Sequence, residues 1–97
     1  MSMYLPQPVR DQALEAALEV VVHFPRVETR PLPELLVLDR ELAAVSEAYA
    51  QAMAHMPWTL ETKAQFRKLA KEQAFVDKAL ALLGLRTRMR AIARLAK

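Results

Sequence analysis

The sequence predicts an all-α protein, a small helical bundle of three long helices and a short basic C-terminal helix, and two observations carry that prediction. Apolar side chains recur three and four places apart along most of the chain, and no stretch alternates with comparable strength. The chain also has six prolines and a single glycine, so proline does the punctuating and the segments between the marks are long enough for helices.

The first helix is expected over residues 8–24. Pro8 suits its first turn, where a missing N–H has no partner to lose. Leu14, Leu18 and Val21 form one stripe, flanked by Ala17 and Val22, while Asp11, Glu15 and Glu19 form an acidic solvent face. Pro25 ends the helix. Residues 25–33, Pro-Arg-Val-Glu-Thr-Arg-Pro-Leu-Pro, read as an extended polyproline-like connector, a spacer that at ~3.1 Å per residue reaches more than about 20 Å.

The second helix, over 33–55, has the cleanest pattern. Leu35, Leu38, Leu42, Val45, Tyr49, Ala52 and Met56 follow the three-four rhythm of a coiled-coil-like seam. Leu36 and Met53 widen it toward a bundle face, and Pro57 stops it. A third helix over 60–83, capped by Thr59, repeats the rhythm through Phe66, Leu69, Val76, Leu80 and Leu83, with Gln73 where an apolar residue is expected. Phe75, Ala79 and Leu82 form its second row. The connector between these two helices is so short that they must fold as an antiparallel hairpin, the base of the bundle.

Gly84 fits the left-handed position after a helix, with Leu85 folding back on Leu80. Leu85, Met89 and Ile92 then start a stripe out of phase with the preceding one, which predicts a separate fourth helix over 86–96, packed loosely at the end of the bundle. Its other face is Arg86, Arg90, Arg94 and Lys97, with Arg88 alongside.

Residues 1–97 are too few for a second independent core, so one domain is expected. The hydrophobic share is 54%, yet much of it is alanine and only 6% of the residues are aromatic. The core should be thin, and a thin core in a short chain favours help from a second copy, so a homodimer is expected. The absence of cysteine excludes disulfides, thiolate chemistry and cysteine metal sites. No apolar run is long enough to span a bilayer, and the first ten residues, with two prolines, do not resemble a secretory signal. A soluble, cytoplasmic protein that does not engage membrane is the resulting expectation.

Charge is divided unevenly. Residues 1–59 carry four basic and eight acidic side chains, a balance of −4, whereas residues 60–97 carry ten basic and three acidic, a balance of +7. Either the halves face each other, within or between chains, or the basic half meets an anionic partner. Lys63, Arg67, Lys71, Arg86, Arg88, Arg90, Arg94 and Lys97 are the candidate polyanion-binding residues. Against that reading, no aromatic side chain lies between Arg86 and Lys97 to stack on a base or anchor in a membrane surface. A helix-turn-helix drawn through Gly84 would put Arg90 where burial is wanted. A solvated basic face is the plain alternative.

Chemistry is sparse. His23 and His55 have no His or Asp at ligand spacing, so no metal is expected. Ser46 has no histidine one turn away to activate it. The segment Leu38-Asp39-Arg40-Glu41-Leu42 resembles the first helix of the helical chorismate mutases, over these five residues only. No set of Arg, Lys, Glu and Gln converges with it on a pocket, so no catalytic residue, cofactor or small-molecule substrate is expected. Trp58 is expected to plug the end of the core, with a partner anchor as the other reading. Gln73 is either a register device or the mark of a wetter edge.

The function expected from these features is non-enzymatic. The chain reads as a small regulatory or adaptor protein that binds another protein, as a homodimer, with Leu35, Leu38, Leu42, Val45, Tyr49, Met56 and Trp58 as candidate interface residues. The alternative is a nucleic-acid-binding protein that uses the basic surface of the third and fourth helices.

Overall fold

Proline and the local polar side chains decide where each helix starts and stops in the computed structural model, which describes residues 5–95. The protein is all-α, with no strand among the described residues. Helix α1 spans Gln7–Val22 with Pro8 in its first turn. It stops at His23 because Pro25 has no N–H to offer the Val21 carbonyl, and its ring would clash there. The chain does not then extend. Phe24–Val27 forms a one-turn helix, α2, with Pro25 in its first turn.

The expected polyproline spacer is therefore corrected to a folded corner. The Thr29 hydroxyl donates to the Arg26 carbonyl at 2.7 Å, the Arg30 N–H to the Val27 carbonyl at 3.0 Å, and Val27 is fully buried. Burial of that valine and the turn hydrogen bonds outweigh the extended preference of the prolines. Pro31, at φ −55° and ψ 143°, keeps polyproline geometry, as the cap of the next helix.

Helix α3 spans Leu32–Ala54, with Pro33 in its first turn and Glu34 where a negative charge favours the helix dipole. Thr59 and Thr62 then bond reciprocally, the Thr59 N–H donating to Thr62 Oγ1 at 3.0 Å and the Thr62 N–H to Thr59 Oγ1 at 3.3 Å. The carbonyl of Thr62 accepts from Phe66 N–H at 2.8 Å. Thr62, not Thr59, is thus the residue on which α4 starts.

Helix α4 runs from Lys63 to Leu95 without a break, about 50 Å at 1.5 Å per residue. The separate fourth helix and the helix ending at Gly84 are corrected here. Gly84 has no positive φ. Its carbonyl accepts from Thr87 Oγ1 at 3.2 Å and from Arg88 Nε at 3.1 Å, and Arg86 and Arg90 beyond it are anchored to the α2–α3 corner. Glycine permits a left-handed ending without requiring one, and these anchors hold the chain helical at a cost of about 1 kcal/mol relative to alanine.

α3 and α4 run in opposite senses. The pairs Tyr49 with Glu72, Ser46 with Asp77 and Arg30 with Arg90 join them from near the connector to the far end. α1 runs with α4, joined by Arg10 to Glu72 below and by the corner residue Glu28 to Arg86 above. The core between the three helices is Ala13, Ala17, Val20, Val27, Leu35, Leu42, Tyr49, Leu69, Val76, Ala79 and Leu83. Burying each large side chain among them contributes about 1.5–3 kcal/mol.

Two apolar faces differ from expectation. α1 buries Arg10, Ala13, Ala17 and Val20, about 100° around from the expected Leu14–Leu18–Val21 stripe. Leu14 and Val21 are half-buried and Leu18 is 50% exposed. The small side chains of Ala13 and Ala17 let α1 approach closely, while Arg10 finds a carboxylate inside. On α3 the seam turns inward, but Leu36 is exposed and does not widen it.

Candidate functional site

Arg10, Glu72 and Tyr49 form a polar cluster within the apolar core. The Arg10 guanidinium grips the Glu72 carboxylate with both edges, Nε to Oε1 at 2.9 Å and Nη2 to Oε2 at 2.8 Å. Tyr49 Oη donates to the same Oε1 at 2.7 Å, and Arg10 Nη1 donates to Gln7 Oε1 at 3.1 Å. The cluster ties all three long helices together, one side chain from each.

Its ionisation follows from those contacts. The Glu72 hydrogen bond raises the Arg10 pKa. Burial acts to raise the Glu72 pKa, but the hydrogen bonds from Arg10 and Tyr49 outweigh it and hold the carboxyl below its ordinary range. Burial, then the bond to Glu72, pushes the Tyr49 phenol well above its ordinary value. A neutral tyrosine and a fixed ion pair hold geometry; none of the three is poised to exchange a proton near neutrality.

The spacing carried a signal of this cluster that charge counting passed over. Arg10 continues the series of Ala13, Ala17 and Val20 backwards, and Glu72 stands between Leu69 and Val76 at the three-four spacing. Gln73, the residue singled out for the seam, is half-buried and only reaches the Ser46 carbonyl at 3.3 Å.

The candidate interface residues divide. Leu35, Leu42 and Tyr49 are fully buried within the chain's own core, Leu38, Val45 and Met56 are half-buried against it, and Trp58 is 65% exposed. The seam is filled by α1 and α4 of the same chain, so its buried members are not available to another molecule. The expected plug is also corrected. Trp58 sits outside the core and packs edge-to-face on Phe66, ring centres 4.9 Å apart.

The candidate polyanion residues divide as well. Arg86 pairs with Glu28. Arg90 Nη1 donates to the Arg30 carbonyl at 2.7 Å, closing the end of the α2–α3 corner, and Arg88 folds back on its own helix. Arg94 is exposed beside Pro31 and Pro33. Lys63, Arg67 and Lys71 are exposed, with no ion-pair partner among the described residues. Lys97 lies outside the described residues. The two basic groups do not make one surface, since the 23 residues from Arg67 to Arg90 turn the continuous helix by about 140° beyond whole turns. Nor does the acidic row of α1 cover the basic strip, for Asp11 and Glu15 are exposed and Glu19 pairs with Arg30 at 3.3 Å.

Concave features offer little chemistry. A cleft of about 430 Å³ lies beside Leu5, Gln7, Arg10, Ala52, His55, Met56, Gln65 and Leu69. Arg10 is taken up by Glu72, and His55 Nδ1 lies 2.9 Å from the Gln51 carbonyl of its own helix. Among the described residues, no three His, Asp or Glu side chains gather to hold a metal ion. Arg40 and Glu41, in the segment resembling the chorismate mutases, are exposed. No described helix is long and apolar enough to cross a membrane.

The outward surface of α4 stands out instead. Leu85, Met89, Ile92 and Leu95 are 57, 54, 65 and 87% exposed. Their stripe is out of phase with the core, and because the helix passes straight through Gly84 the stripe is carried round to the outside. Phe24, Leu82, Leu85, Arg86 and Met89 line a shallow groove of about 160 Å³ at its inner edge. Comparison of the chain with protein-family models, curated proteins and solved structures gives no match.

Proposed function

We propose that this is a non-enzymatic regulatory or adaptor protein that docks another polypeptide on the outward apolar strip of α4. The single observation behind this reading is the exposure of Leu85, Met89, Ile92 and Leu95 in sequence-adjacent turns of one helix. Isolated apolar side chains on a surface need no explanation, but a contiguous row does. From Leu85 to Leu95 the strip is about 15 Å long, enough to seat roughly three turns of an amphipathic partner helix. The buried cluster and the anchored corner hold α4 in place, so the strip is presented already ordered, which lowers the entropy cost of binding.

The test is affinity capture on the full chain, compared with an Ile92→Glu/Leu95→Glu variant whose helicity is checked by circular dichroism. Proteins captured by the unaltered chain and lost from the variant support the reading. An identical set from both would overturn it.

A second reading, nucleic-acid binding, is favoured by Lys63, Arg67 and Lys71 standing exposed and without ion-pair partners. Salt-sensitive binding of duplex DNA or RNA, weakened by Lys63/Arg67/Lys71→Ala, would support it. Arg86 and Arg90 are excluded from that test because their removal would disturb the corner.

A further inference from the structure

We propose that a second copy of this chain docks on the face formed side by side by α1 and α4, about a two-fold axis parallel to those helices. The proposal deepens the reading above by naming an occupant for the inner edge of the apolar surface, and it leaves Ile92 and Leu95 to the other partner.

The two helices carry matching patterns on that face. At 100° per residue, Asp11, Glu15, Leu18 and Val22 lie on the outward side of α1 next to α4, and Lys71, Lys78, Leu82 and Met89 lie on the outward side of α4 next to α1. Asp11, Glu15, Lys71 and Lys78 are exposed, Leu18, Val22 and Met89 are at least half exposed, and Leu82 is half-buried. Each helix is thus charged in its lower part and apolar in its upper part, with α1 negative and α4 positive.

The register of the bundle aligns these patterns. Arg10 stands level with Glu72, 62 positions on, so Asp11 and Glu15 are level with residues 73–77, between Lys71 and Lys78. Leu18 and Val22 are level with residues 80–84, beside Leu82 and Leu85. A two-fold axis along the helices places α1 of one copy against α4 of the other without a change of level. Carboxylates then meet ammonium groups and leucines meet leucines. A two-fold axis across the helices would instead set α1 against α1 and α4 against α4 in opposite senses, so that the charged lower part of each helix met the apolar upper part of its copy.

The face is of modest size. Each helix is roughly 10 Å wide, and Lys71 to Met89 covers about 27 Å of α4 while Asp11 to Val22 covers about 17 Å of α1. Together they give on the order of 440 Å² of flat footprint per copy, and a corrugated surface exposes more, which sets the pair at the small end of specific interfaces, where a concentration-dependent dimer belongs.

Sedimentation velocity on the full chain over a range of concentrations provides the first measurement. The expected mass is twice the 11.0 kDa of the chain. Glu15→Lys and Lys78→Glu should each weaken the dimer at least about tenfold by setting like charges together, and E15K/K78E should restore it. The second measurement uses the absence of native cysteine: a V22C copy mixed with an L85C copy, positions that the register sets level, should cross-link to each other on oxidation. A mass of one chain at every concentration up to millimolar would overturn the proposal. So would a dimer insensitive to both charge reversals, or the absence of the mixed cross-link. A monomer that still loses partners on Ile92→Glu/Leu95→Glu removes the dimer and leaves the adaptor reading. A charge-swappable dimer whose captured proteins do not change on that substitution does the reverse.

Discussion

Glu72 is a charged residue at a core position, and its neighbours make that tolerable. Removing its charge would leave the part-buried Arg10 guanidinium without a counterion, so Glu72→Gln should destabilise the protein by about 1–3 kcal/mol in a chemical denaturation experiment. The pH dependence follows from the same contacts. The Glu72 pKa is lower folded than unfolded, so its contribution is present above the unfolded carboxyl value near 4.3 and is lost as pH falls through the folded value. The stability gap between the unaltered chain and Glu72→Gln should therefore narrow as pH is taken from about 5 toward 2. Tyr49 behaves oppositely. Its pKa is raised on folding, so its contribution is present below about pH 10 and is lost as pH rises above that. Tyr49→Phe should cost about 1 kcal/mol at neutral pH, and it should lose less stability than the parent as the solution is made alkaline.

Among the elements, α4 decides most. A helix that ended at Gly84 in a left-handed turn would penalise any side chain there. In the continuous helix a Cβ at that position meets only the end of the Arg88 side chain, at 3.8 Å. Gly84→Ala should accordingly raise stability by about 1 kcal/mol, read as an increased denaturation midpoint with unchanged slope. A loss of similar size would mean that the left-handed ending is real.

This element also marks how far the residues alone could be read. The three-four rhythm of Leu35, Leu42 and Tyr49 or of Leu69, Val76 and Leu83 is a local signal, and the structure buries all six. Gly84 is ambiguous locally, because what keeps the helix going is Arg86 and Arg90 reaching the α2–α3 corner about 60 positions earlier in the chain. Val27 was hidden for the same reason, a lone valine among prolines that is buried only once three helices surround it. Of the interface candidates, Trp58 alone is largely exposed, whereas the phase shift at Leu85, Met89 and Ile92 is visible in the sequence and by itself predicts the start of a new helix. Its consequence, an apolar strip facing outward, appears only when α4 is known to be straight.

At the scale of the whole molecule, a body of 55 × 25 × 18 Å has little depth in which to hide apolar side chains. Its interior is filled by residues from three long helices and the corner at Val27, and the surplus lies mostly along α1 and α4, with Leu36 and Val37 on α3 and Trp58 and Leu60 in the connector also exposed. Met89→Glu should leave the circular dichroism spectrum unchanged, since the side chain is 54% exposed, while weakening self-association in sedimentation velocity. Loss of helicity on that substitution would place Met89 in the core of a single chain.

The outward strip, and with it the functional reading, requires α4 to be one straight helix across Gly84. Because the chain has no cysteine, spin labels on R67C and R94C, diluted with unlabelled protein, report that distance directly. The expected result is one narrow distribution near 40 Å, 27 residues at about 1.5 Å each. A broad distribution, or one centred below about 30 Å, would show a helix that turns back at Gly84 and would contradict the account.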